Sequence, residues 1–224
     1  METGRLNSTR IAQTNSIRIA FLTLIIISLF IGSSSLTQAR ASFFTSSTID
    51  VSSISSFDKS ILEQGDIILR KGNNLVSDMI AMAFPEGDDM SHCGIIVKKQ
   101  DSLFVIHTIS GRISREDGIR INTLEDFVMH SHQNRYKIVR PKSNYNTEKA
   151  VNSAEQYLAQ KVPFDNIFRM DNGNKFYCSE FVRQVLMDAG SKDVFTYKQI
   201  GSNLLIDMAS FSDTRYFKTV YSSY

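Results

Sequence analysis

The chain has 224 residues, of which 42% are hydrophobic, 21% charged and only 3 proline, enough for one compact domain with a sizeable core and too few for two. The formal net charge is +2, part of that surplus lies at the N-terminus, and no basic run interleaved with aromatics occurs. These features exclude nucleic acid as the expected partner.

Arg5, Arg10 and Arg18 precede an apolar run from Ile19 to Ile31, and a small-residue site follows at Ala39-Arg40-Ala41. A positive segment, an apolar segment and an A-x-A-like site read as a secretory signal peptide over residues 1–41. The run is shorter than the roughly 20 residues of a spanning helix. An uncleaved N-terminal anchor is the alternative, and on either reading the body is exported, periplasmic or extracellular, with cell-envelope association. Residues 42–61 are rich in serine and threonine, without period, and read as a spacer. The domain proper is expected over 62–224.

Gly65-Asp66 turns into Ile67-Ile68-Leu69, a short buried strand. Leu75, Val76, Met79, Ile80 and Ala83 recur at helical spacing and predict a helix over 74–84, stopped by Pro85. Residues 91–98 and 103–109 read as two strands joined through 99–102. A short strand over 118–121 leads to Thr123-Leu124-Glu125-Asp126, a capping box opening a helix through Met129. A strand at 136–139, a helix over 147–160 and a polar loop containing Asn166, Asp171, Asn172, Gly173 and Asn174 follow. The loop delivers the chain to Cys178. Phe181, Val182, Val185, Leu186 and Ala189 then mark a second long helix closed by Gly190, and 216–221 is an apolar segment able to close the sheet.

Cys178 falls in the first turn of that helix, where unpaired backbone N–H groups and the positive dipole end favour a thiolate and offer oxyanion donors. By position alone, a small buried cysteine is the competing reading. His92 is the candidate base. Strand alternation puts His92, Gly94 and Ile96 on one face and Cys93, Ile95 and Val97 on the other, so Cys93 reads as a core residue and not as the partner of His92. Gly94 leaves room for close approach of a substrate or another backbone. If the two strands pair antiparallel with 92 opposite 107, His107 can orient His92. His130 and His132 read as surface residues.

A Cys93–Cys178 disulfide is the other expectation for an exported protein with two cysteines, but the chemistry of each neighbourhood argues against it. No H-E-x-x-H or C-x-x-C spacing signals zinc, and the scattered carboxylates Asp66, Asp165 and Glu180 do not suggest a glycosidase pair. No metal and no cofactor are therefore expected.

Gly65-Asp66-Ile67-Ile68, Ser91-His92-Cys93-Gly94-Ile95-Ile96 and Tyr177-Cys178-Ser179-Glu180-Phe181-Val182, in that order over residues 62–190, resemble the permuted papain-like amidases, the YiiX-type branch of the NlpC-type cysteine hydrolases. Lecithin retinol acyltransferases are more distant relatives. The resemblance implies an α+β, permuted papain-like (NlpC-type) fold, with a small antiparallel sheet, barrel-like, packed on helices. It also implies Cys178 as nucleophile and His92 as general base. His107 falls at the third polar position, which is more often glutamate in the closest branch and histidine in the acyltransferases. Cys93 stands where a small apolar residue is usual, and Asp66 lies in the family's opening turn, where a structural role is expected.

The function expected is an exported cysteine hydrolase, an amidase or peptidase, acting on a small-molecule, peptide or lipid substrate such as a cell-wall peptide or a lipid or amino-acid conjugate. No obligate protein partner is expected. The alternatives are an acyltransferase and a catalytically silent lipid- or peptidoglycan-binding module on the same scaffold.

Overall fold

A computed structural model describes residues 58–142, 145–170 and 173–224. The leader, most of the spacer and Asp171-Asn172 of the polar loop lie outside the described residues. The described chain opens with a 3-10 turn, Lys59–Ile61, whose start is capped by the Asp58 carboxylate.

Eight strands and four helices follow: β1 (Ile67–Gly72), α1 (Leu75–Ala83), β2 (His92–Lys99), β3 (Ser102–Ile109), β4 (Gly118–Thr123), α2 (Leu124–Met129), β5 (Ser131–Pro141), α3 (Thr147–Ala159), α4 (Cys178–Asp188), β6 (Tyr197–Ile200), β7 (Asn203–Ile206) and β8 (Phe217–Ser222). Six strands form one sheet in the order β4-β3-β2-β1-β5-β8, each ladder between neighbours being antiparallel. The expected barrel-like closure is absent from the described strands. β4 and β8 are the two edges, and β6 and β7 form a separate hairpin.

Alternation along the strands divides the core between the two faces of the sheet. Ile67, Leu69, Cys93, Ile95, Val97 and Ile106 look toward α3 and α4, where Ala150, Ala154, Phe181, Val182 and Val185 meet them. Ile68, Ile96, Val105 and Ile138 look the other way, onto Leu124, Phe127 and Val128 of α2. Each such fully buried aliphatic side chain contributes about 1.5–3 kcal/mol.

The opening turn is fixed from both sides. Gly65, at φ +88, donates its N–H to Ile96 O at 2.8 Å, and Ile96 N–H returns to Asp66 O at 2.7 Å. The buried Asp66 carboxylate accepts from Arg140 Nε at 2.7 Å, from Arg140 Nη2 at 2.9 Å and from Glu63 N–H at 2.9 Å. Asp66 thus ties the turn before β1 to β5, the structural role expected of it.

The β2–β3 register differs from the expected one. His107 lies opposite Gly94, not His92, and the ladder continues to Lys99 opposite Ser102, leaving a two-residue turn at Gln100-Asp101. Gln100 adopts φ +54 there, a conformation the sequence does not advertise because neither turn residue is glycine or asparagine. The displacement is two residues, so every side chain keeps its face.

Candidate active site

α4 begins where Tyr177 is held. Its hydroxyl donates to Met170 Sδ at 2.8 Å and accepts from Ile206 N–H at 3.2 Å, anchoring the helix start to the β6–β7 hairpin. Glu180 reaches back from the first turn to the Tyr177 N–H at 3.4 Å, half of a capping box. Phe181, Val182 and Val185, all fully buried, seat the helix on the sheet and deliver Cys178 to the start of β2.

Cys178 is buried, with Sγ 4.0 Å from Ser91 O. Ser91 itself is pinned, its hydroxyl oxygen accepting the Gly72 N–H at 2.9 Å. The Cys178 thiol is shifted below its ordinary value. The neighbouring Cys93 thiol is the main cause, and the backbone N–H groups of Cys93, Ser179 and Cys178 add to it, together outweighing the opposing effect of burial. The Cys93 thiol moves far in the opposite direction, first because it is buried and then because of Cys178. Both cysteines are free thiols, so the disulfide alternative does not describe this arrangement. Of the pair, Cys178 is the one at a helix N-terminus, where a thiolate is favoured. Cys93 is a core residue, as its strand parity implied, yet it also contributes to the environment of Cys178.

His92 and His107 are diagonal neighbours across the β2–β3 ladder, within reach of each other on the α2 face. His92 Nε2 lies 2.9 Å from His107 Nδ1, and His107 Nε2 lies 2.8 Å from Asn122 Oδ1 on β4. Phe127 of α2 packs on both imidazoles, stacked on His92 and edge-on to His107. Gly94 makes the approach possible, because a Cβ there would lie 2.6 Å from Val105 Cγ1, 2.8 Å from Ile106 O and 2.9 Å from His107 Cβ. The room expected beside His92 is thus filled by the neighbouring strand.

Arg70, the cross-strand partner of His92, completes this face. Its guanidinium lies over the Phe127 ring at 4.4 Å, and Nη1 donates to Phe127 O at 2.6 Å. Burial pushes Arg70 down to about 10, while the Cys178 sulfur pulls it back up. Burial holds His92 far below its ordinary value, reinforced by Arg70 and His107, and burial takes His107 down to about 4. Both imidazoles are therefore neutral at neutral pH.

Cys178 and His92 lie on opposite faces of the sheet at the start of β2. Cys178 joins Cys93 on the α4 side and His92 joins His107 on the α2 side; among the described residues, no hydrogen bond joins Cys178 to His92. Arg70, on the His92 face, nevertheless lies within electrostatic range of the Cys178 sulfur.

His130 and His132 are exposed; the former is bonded through Nδ1 to Asp126 O at 2.7 Å and lies within electrostatic range of His107. Among the described residues, no group of three or more histidine, cysteine, aspartate or glutamate side chains is gathered to hold a metal ion. Sequence reasoning missed Asn122 and Arg70. Neither lies in a motif, and only the strand register brings them to the site.

A thiol at a helix N-terminus beside a strand that carries an imidazole is the arrangement expected of a papain-like cysteine hydrolase. The family model for the permuted papain-like amidase enzymes YaeF/YiiX, the C92 family, matches residues 61–223, and the chain belongs to that family. A solved structure, that of the metalloprotein YiiX from Escherichia coli O157:H7, is 19% identical and superposes with a TM-score of 0.62 over 72% of this chain and 98% of its own, which establishes the likeness of fold. No curated protein sequence matches.

Proposed function

We propose that the protein is an exported amidase or peptidase that opens an amide or ester bond through an acyl-enzyme on Cys178. The observation that carries this reading is the placement of Cys178 as the first residue of α4, where the unpaired N–H groups of the first turn converge on its sulfur beside the start of β2. The Cys178 thiolate attacks the carbonyl, and first-turn N–H groups of α4 stabilise the oxyanion. His92 takes up the thiol proton and returns it to the leaving group, oriented by His107. Water then resolves the acyl-enzyme. The residues 1–41 leader supports export, and cell-wall peptides and lipid or amino-acid conjugates are the substrate classes an exported amidase of this family would meet.

Trapping tests the reading directly. Incubation with p-nitrophenyl acetate should add one acetyl group to Cys178, detected by peptide mass spectrometry, and Cys178→Ala should abolish it. Acetylation elsewhere with Cys178 untouched would refute the assignment.

A further inference from the structure

The hydrogen-bond chain on the α2 face ends at the side-chain oxygen of Asn122. An amide oxygen accepts and never donates. With Asn122 Oδ1 facing His107 Nε2 at 2.8 Å, that nitrogen carries the hydrogen. His107 Nδ1 is then an acceptor, so the hydrogen in the 2.9 Å contact with His92 belongs to His92 Nε2. Neutral His92 has one N–H, and its Nδ1 is left with a lone pair. Turning the amide over would reverse every step, placing the hydrogen of His92 on Nδ1 and removing the base from that nitrogen.

Charge cannot override this relay. Burial and the Arg70 guanidinium both disfavour an imidazolium at either histidine, so the choice lies between neutral tautomers. Such a choice is settled by the last fixed donor or acceptor in the chain. Asn122 lies on β4, and the β3–β4 register, with Val105 opposite Asn122, puts it on the same face as both rings.

We propose that Asn122 is a positioning residue for the reaction: its side-chain oxygen sets the tautomers of His107 and His92 so that His92 Nδ1 is the nitrogen that takes the Cys178 proton. The proposal rests on Cys178 and His92 acting together. Asn122 touches neither substrate nor sulfur and acts only through His107.

The test is imidazole nitrogen NMR on protein with labelled histidine, paired with the rate of Cys178 acetylation by p-nitrophenyl acetate, for wild type, Asn122→Leu and Asn122→Asp. Wild type should show hydrogen on Nε2 of both His92 and His107. Asn122→Leu should give mixed tautomers and an acetylation rate about 10–100-fold lower, the usual scale for loss of a group that orients a functional histidine. Asn122→Asp, which can still only accept, should keep the wild-type tautomers and recover most of the rate. Hydrogen on His92 Nδ1 in wild type overturns the proposal, as does an Asn122→Leu protein with unchanged tautomers and rate. If Asn122→Leu does not fold, the wild-type and Asn122→Asp spectra still decide. Absence of Cys178 acetylation in wild type would instead defeat the underlying hydrolase reading, and the tautomers would remain readable on their own.

Discussion

Gly94 lies directly opposite His107, and the space left by its missing side chain is what lets the His107 imidazole reach 2.9 Å from His92. A methyl group at this position meets backbone Ile106 O as well as two side chains, so it cannot be relieved by one rotamer change. Gly94→Ala should cost about 1–3 kcal/mol, the usual range for overpacking a core. It should also slow Cys178 acetylation by separating the two rings. Urea unfolding and the acetylation rate measure the two effects, and an unchanged rate would show that the ring contact is dispensable.

Two neutral histidines, His107 buried and His92 half-buried, make stability depend on pH in a definite direction. His107 has its folded-state value pushed down to about 4, and His92 is also depressed. Between roughly 6.5, the ordinary imidazole value, and 4, the unfolded chain binds protons that the folded chain refuses, so stability rises with pH through this window and falls on acidification. At 1.36 kcal/mol per unit, His107 alone accounts for a loss of about 3 kcal/mol by pH 4. Urea midpoints measured from about pH 7 to 4 should fall steadily, and His107→Leu should flatten part of the slope.

Arg140 is a quarter exposed while its partner Asp66 is almost wholly buried, so removing the arginine strands a carboxylate inside the protein. Breaking a fully buried pair costs 3–5 kcal/mol; with one partner partly solvated, about 2 kcal/mol is expected for Arg140→Ala. Acetylation of Cys178 should be unaffected at temperatures where the variant is folded. A selective loss of acetylation with unchanged stability would place Asp66 and Arg140 in the chemistry instead of the scaffold.

Cys93 is the leading cause of the lowered Cys178 value. Cys93→Val fills similar space in the core but removes the donor, so Cys178 should ionise at higher pH and alkylate more slowly below neutrality. An unchanged profile would mean that the backbone donors suffice.

Much of this was legible in the residues because periodicity and turn chemistry agreed. The apolar stripe Phe181, Val182, Val185 and Leu186, with Gly190 after it, defines α4, and strand alternation correctly assigned Cys93 to the core and His92 to the opposite face. The β2–β3 register was misread because Gln100 takes a left-handed conformation that glycine or asparagine would have announced. Parity preserved the His92–His107 contact all the same. Asn122 was invisible because its role arises from its contact with His107 on the adjacent strand and no local pattern marks it. The β6–β7 hairpin was missed although Gly201-Ser202 is a recognisable two-residue turn, because its strands are only four residues each.

The central claim is that Cys178 is an activated nucleophile working with His92. The most direct test is iodoacetamide labelling of the purified protein from about pH 4 to 9, mapped by peptide mass spectrometry, for wild type and His92→Ala. Cys178 should alkylate well below the ordinary thiol value of about 8.5 while Cys93 stays protected, and His92→Ala should weaken that reactivity. A Cys178 that is inert, or found disulfide-bonded to Cys93, would contradict the account.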